Sequence, residues 1–422
     1  MSPRPVQPEP FIRGAAYPSV GDVPYPRANP SDTARLPADI WHAATVPVGV
    51  RLELVGTAEA VDVAYRTTSG NLGYRGDSAG ITFSVWRGSR KVCEEEAVLG
   101  DGLVRLSLGA SAPDKPAIIY LPEGMQPLVQ SLTAVKGGIS PAPAQPRWIA
   151  YGDAITQGWI ASGPAQGWAA IAARKAGLDV VNLGFAAAGR GEIVSAEHIA
   201  GLSADVISIA YGASCWTRIP HSVGMVAEGF MGFLDVVREG HPFTPIVVAS
   251  PFVRPDAEEE PNRLGTTLAD IRDAIESVTR ERIASGDLTL TLVSGKSVIG
   301  AEHLGDAIHP DDEGHKRIAA AMSKALKAAM ASAEQLPTPT KADDRDGWGF
   351  GDRDNFEATD SSTGDSTDDG DADAGVSRVV EGVDDVDVVD DGDAGDTEDD
   401  GDAGDTEDDF DDSSVAAASS AS

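Results

Sequence analysis

The sequence predicts an α/β domain, a parallel sheet covered by helices on both faces, preceded by an all-β sandwich or jelly roll and followed by an acidic tail with no core of its own. Three observations carry this. Residues 147–335 alternate short apolar runs with amphipathic helical segments, as a parallel sheet with crossover helices requires. Residues 46–136 hold short alternating strands broken by Gly, Asp, Ser and Pro, the spacing of a sandwich. The charge is uneven: of the net −34 carried by 422 residues, −26 lies in residues 341–422, which hold 30 acidic and 4 basic side chains.

Residues 1–45 are rich in proline and polar residues, show no sustained period, and read as an extended N-terminal arm. Five strand-like runs follow: RLELVG, VDVAYRT, ITFSVWRG, LVRLSL and AIIYLP. GGISPAPAQP at 137–146 has the Pro/Gly density of a linker. The α/β part opens with WIAYG, then a helix near 168–175, VVNLG, a helix from Glu192, VISIAYG, a helix near 225–238, PIVVAS, a helix near 268–283, LTLV, and a last helix from Asp312. The tail, 336–422, repeats GDAGDTEDD at 392–400 and 401–409 and almost lacks aromatic residues, so it is expected to be disordered. A calcium-loop reading fails there, because the D-x-D-x-D-G spacing and closing glutamate are absent.

Composition narrows the function classes. No run of 18 apolar residues occurs, and the opening MSPRPVQPEP has neither the basic start nor the apolar stretch of a signal peptide, so a cytoplasmic protein without membrane association is expected. No clustered Lys/Arg surface is found, which argues against nucleic acid as a partner. Only nine of the 33 basic residues are lysine; with the abundant aspartate this resembles the proteins of salt-loving archaea, which stay soluble through surface carboxylates. Cys93 and Cys215 match no metal-ligand spacing and read as packing residues, and no metal site or cofactor is expected.

In such sheets, ligands bind beyond the carboxyl ends of the strands. There the first strand runs into GDAITQG at 152–158, a tight turn bracketed by glycines, and the last block is GDAIHPDDEGH at 305–315. In that block Asp306 and His309 stand three apart, a spacing that lets a carboxylate orient an imidazole, just before a helix entered through Pro310 and acidic residues. A cap at the helix start is the competing reading of the same pair. His315 is expected to hydrogen-bond within the last helix, Arg190 to pair with Glu192, and Trp159, Trp168 and Trp216 to pack in the core or line a pocket.

These two blocks, in this order and about 150 residues apart, resemble the SGNH (GDSL-type) hydrolase family, and the preceding sandwich resembles the arrangement in two-domain carbohydrate esterases. The resemblance implies a flavodoxin-like three-layer α/β/α domain and a serine esterase acting on ester bonds. It makes His309 the general base and Asp306 its orienting partner, with Gly152 and Asp153 shaping the nucleophile turn. Departures from the family pattern decide the expected activity. Ala154 stands at the nucleophile position and has no atom able to attack a carbonyl. Ala187, in NLGFAAAGRGE, stands at the oxyanion-hole glycine, and Ser214, in YGASCW, at the asparagine. Thr156 and Ser214 are weak substitutes for the lost nucleophile. The expectation is a pseudo-enzyme that holds a small ester or acylated carbohydrate. Two alternatives stay open: a hydrolase using activated water or an unrecognised nucleophile, and a non-enzymatic scaffold that binds carbohydrate or protein.

Overall fold

The structure, a computed structural model, describes residues 4–70, 72, 80–110, 115–217, 219–336 and 379–380. Its N-terminal half contains β1 (Ile12–Arg13), α1 (Ala38–Ala44), β2 (Arg51–Gly56), β3 (Ala60–Thr67), β4 (Thr82–Arg87), β5 (Arg90–Glu96), β6 (Gly100–Ser107), β7 (Ala117–Tyr120), β8 (Pro127–Val135) and β9 (Ile139–Pro141). These strands form two antiparallel sheets. One runs β1-β2-β7-β4-β5, with β9 added beside β2; the other runs β6-β3-β8. Alternation along each strand decides which side chains enter the core. In β3, Val61, Val63 and Tyr65 point inward to meet Leu52, Leu54, Phe83, Val85 and Ile119 of the opposing sheet. On the outer face of the same strand Asp62 pairs with Arg105 across to β6, 2.6 Å apart.

Then come β10 (Arg147–Gly152), α2 (Ala154–Gln157), α3 (Trp168–Ala176), β11 (Asp179–Gly184), α4 (Ile193–Gly201), β12 (Val206–Ala210), α5 (Ala213–Trp216), α6 (Val223–Gly240), β13 (Ile246–Ala249), α7 (Leu268–Ala284), β14 (Leu290–Val293) and α8 (Asp312–Glu334). Their strands form a parallel sheet in the order β11-β10-β12-β13-β14, the strand order of flavodoxin-like folds. Helices cover both faces, so the strands are buried along nearly their whole length. Along β10, Ile149 and Tyr151 enter the layer shared with α4, α6 and α7, while Trp148 and Ala150 enter the layer shared with α3 and α8. Gly152, Gly184 and Ala210 lie side by side in register, which brings the carboxyl ends of β10, β11 and β12 to one edge.

The sandwich and the α/β layers are tied by buried polar contacts. Arg51 of β2 donates to Glu53 at 2.7 Å, to Asp179 at the start of β11 at 2.9 Å and to the Val180 carbonyl at 3.1 Å. Arg174 of α3 lies over the rings of Trp86 and Tyr120 and donates to the Tyr120 hydroxyl at 2.6 Å.

The sequence reading needs correction in three places. The arm, residues 1–45, is more than extended chain: it contains α1, sends Phe11 and Tyr25 into the sandwich core, and sends Leu36, Ile40 and Ala44 into the core of the α/β domain. The expected linker at 137–146 contains β9, paired with β2 through Leu54↔Pro141 and Gly56↔Ile139. Strands β5 and β8 were not anticipated, because charged residues dominate RKVCEEE and polar ones interrupt PLVQSLTAV, hiding the alternation. Of the acidic tail expected from 336 onward, only Leu336 and the short strand β15 (Val379–Val380), parallel to β14, fall within the described residues.

Candidate active site

At the carboxyl end of β10, Gly152 lies so close to the Ala210 carbonyl and the Thr156 side chain that a Cβ there would collide with both. Gly189 is confined in the same way against the Gly152 carbonyl. These two close approaches press the β11–α4 loop and the end of β12 onto the turn that begins α2. Asp153 caps α2, accepting from Ile155 N at 3.1 Å, and Ala154 is the first helical residue. The backbone N–H groups of Gly212 and Ala213 at the start of α5 also favour the charged form of the Asp153 carboxyl. Burial raises its pKa to about 6, against the lowering effect of those N–H donors and of His309.

Asp306 and His309 form one unit. Asp306 accepts from Ile308 N at 3.0 Å and His309 N at 2.6 Å through Oδ1, and from His309 Nδ1 at 2.7 Å through Oδ2. A carboxylate partner at Nδ1 fixes the proton there and leaves the Nε2 lone pair available. Burial pushes the Asp306 carboxyl up, but hydrogen bonds from His309 outweigh it and the pKa stays below the ordinary carboxylate value. The backbone partners of Asp306 lie in a turn, so it orders the loop around His309 and does not form the cap expected at the helix start. Asp311 then caps α8, accepting from Gly314 N at 2.7 Å.

The loop carrying His309 docks on the segment after α2. Ser162 donates from N to Asp312 at 2.8 Å, Gly305 packs on Ile160, and the Trp159 and His309 rings lie 6.1 Å apart. His315, expected to bond within its own helix, instead bridges elements: Nδ1 accepts from Trp168 N and Nε2 donates to the Trp159 carbonyl, both at 3.3 Å. The helix turns this ring inward, where no intrahelical partner is needed. Trp168 is fully buried core, whereas Trp216 donates to the Glu260 carbonyl beneath the Arg254 guanidinium.

Ala187 adopts φ +59°, a left-handed conformation that glycine takes without strain and alanine does not. Its carbonyl accepts from Arg190 Nη1 at 2.9 Å, and Arg190 pairs with Glu192 at 3.4 Å, as anticipated, and with Asp39 at 2.9 Å. Ser214 is buried on α5. The Thr156 hydroxyl is occupied, donating to the Ala210 carbonyl at 3.2 Å. Cys215 packs in the core, where burial raises its thiol pKa.

One residue that sequence reasoning missed is Arg27. It is 1% exposed and donates to the Val46 carbonyl at 2.7 Å, the Ala43 carbonyl at 2.6 Å, the Gly184 carbonyl and the side chain of Gln157 at 3.4 Å. Gln157 in turn accepts from Ala186 N at 2.9 Å. An arginine of the arm thus braces both the α2 turn and the loop that carries Ala187; no local pattern in the sequence announces a contact 157 residues away.

Residues 145–327 match the GDSL-like lipase/acylhydrolase family. No curated protein sequence matches the chain. Among solved structures, the salicylyl-acyltransferase SsfX3 from a tetracycline biosynthetic pathway superposes with a TM-score of 0.67 and 27% identity, covering 78% of this chain and 98% of its own. A GDSL-like lipase structure from Bacteroides ovatus gives 0.65 at 18% identity, with the same coverage. A family two carbohydrate esterase from Clostridium thermocellum, solved with cellohexaose, gives 0.50 at 16% identity over 67% of this chain and 92% of its own. The strand order, the GDAITQG turn and the Asp306–His309 pair agree with the match of residues 145–327 to a GDSL-like lipase/acylhydrolase domain.

Proposed function

We propose that this chain descends from carboxylic-ester hydrolases and has lost most or all of their turnover while keeping a site that holds an acylated ligand. One observation carries this reading: the residue that opens α2, at the carboxyl end of β10, is Ala154. A methyl group has no lone pair for a carbonyl carbon and no proton for a base to take, so His309 is left as a base without a nucleophile. Neighbouring groups do not replace it, because the Thr156 hydroxyl is bound to a carbonyl and the Cys215 thiol is held neutral by burial.

The polarising half of the site is weakened as well. Ala187 offers its N–H only from a strained backbone, and the Ser214 hydroxyl is shorter than an asparagine amide. Removing one oxyanion donor typically costs about 100- to 1,000-fold, and removing a nucleophilic serine costs on the order of a millionfold. Water activated by His309 alone supplies only about 100- to 10,000-fold. For the ligand, an acyl ester has the most support: one similar structure is a salicylyl-acyltransferase and another a carbohydrate esterase held with cellohexaose.

The test is hydrolysis of a chromogenic acetate ester. The unmodified protein is expected to match buffer, and Ala154→Ser to raise turnover by about 100-fold or more. Adding Ala187→Gly and Ser214→Asn is expected to bring about 100- to 1,000-fold beyond that. Turnover in the unmodified protein that disappears in His309→Ala would overturn the reading.

A further inference from the structure

A cavity of about 660 Å³ opens beside the β11–α4 loop, and neither Ala154 nor His309 lines it. Its walls come from the start of α1, the loop from Arg190 to Ile193, the ends of β12 and α5, and the first turns of α6. Most of the lining is apolar: Pro37, Ala38, Ile193, Ile219, Met225 and Val226. Ile193, Ile219 and Met225 are about half exposed, so the apolar surface continues to the mouth. A volume in the range that holds drug-sized molecules, an apolar wall and a few polar groups are the attributes of a small-molecule site.

The polar groups restrict what fits. Tyr211, 4% exposed, lines the cavity and sets its hydroxyl against Gly191, another lining residue. No hydrogen bond reaches that hydroxyl among the described residues. The hydroxyl is open to the cavity, so an acceptor atom of a ligand would take the place of water there. Burial keeps the phenol protonated, hence a donor. The ionisable groups on the wall are His221, whose Nδ1 is bound to the Ile219 carbonyl, and Arg190 against Asp39 and Glu192; one guanidinium with two carboxylates disfavours an anion.

We infer that this cavity binds a neutral, largely apolar small molecule through a carbonyl or ether oxygen that accepts from Tyr211. The inference stands apart from the ester reading, since the two sites share no reacting residue. They are nevertheless linked: Arg190, on the cavity wall, also holds the carbonyl of Ala187.

The probe is 2-acetylnaphthalene, compared with 2-naphthoate, an anion of nearly the same shape, by calorimetric titration of the full chain. The ketone is expected to bind with a Kd below about 1 mM and the carboxylate at least about tenfold more weakly. Gly229 lines the cavity, and a Cβ added there meets nothing within 4 Å. Gly229→Phe therefore starts its side chain in open space on the cavity wall, and should lower ketone affinity at least about tenfold while the protein still unfolds cooperatively on heating. Tyr211→Phe keeps the ring and should weaken the ketone about three- to tenfold, which gives a readout even if Gly229→Phe fails to fold. Wild-type affinity in either variant, equal binding of the carboxylate, or no binding of the ketone overturns the proposal. None of these results depends on the Ala154→Ser assay, so the two claims fail separately.

Discussion

At Ala187 a side chain occupies backbone space that only glycine enters freely. The left-handed conformation costs an L-residue roughly 1–2 kcal/mol, and glycine's greater freedom in the unfolded chain returns part of that. Ala187→Gly is accordingly expected to stabilise the fold by about 1 kcal/mol, read as a shift of the urea midpoint at unchanged slope. Asp153 makes a pH-dependent contribution. Its folded pKa of about 6 lies above the ordinary 3.8, so between those values the unfolded chain releases a proton that the native state keeps. Stability therefore falls as pH rises from about 4 to about 6 and is level above, by at most about 3 kcal/mol for this group. Asp153→Asn should remove that slope, and an identical pH profile in the variant would refute the assignment.

Helix starts do much of the positioning at the next scale up. The pair Asp306–His309 is held between the docked segment after α2 and the cap of α8, where Asp311 satisfies Gly314 N. Replacing Asp311 with alanine is expected to cost about 1 kcal/mol of stability, measured by denaturant titration. The elements themselves were largely legible from sequence: each helix of the parallel sheet layer longer than one turn was placed within two residues of its observed start, because α3, α4, α6, α7 and α8 carry one apolar stripe each. The single-turn helices α2 and α5 have too few residues for a period and showed only as glycine-bracketed turns. The contact between Asp306 and His309 was legible for a different reason, since residues three apart are local. What the sequence withheld was contact over distance: the inward turn of His315, the bracing by Arg27 and the pairing of β9 each depend on a partner more than 80 residues away.

Over the whole molecule, the junction between sandwich and parallel sheet is polar and buried, which makes it sensitive to the loss of one partner. Arg51 is 3% exposed at its side chain and faces two carboxylates, Glu53 and Asp179. Arg51→Ala would leave both largely buried without their cation, and is expected to cost about 3 to 5 kcal/mol, seen as a large fall in the unfolding midpoint. Among the described residues, no helix is long and apolar enough to cross a membrane. The arm has a further bearing on how the chain can be divided. Arg27 is synthesised before the carbonyl of Gly184 exists, so the clasp it makes can close only after β10 and β11 have been synthesised. A fragment begun at residue 46 or 147, where the motifs suggest a clean cut, would lack that clasp, leaving the turn around Ala154 looser than in the intact chain.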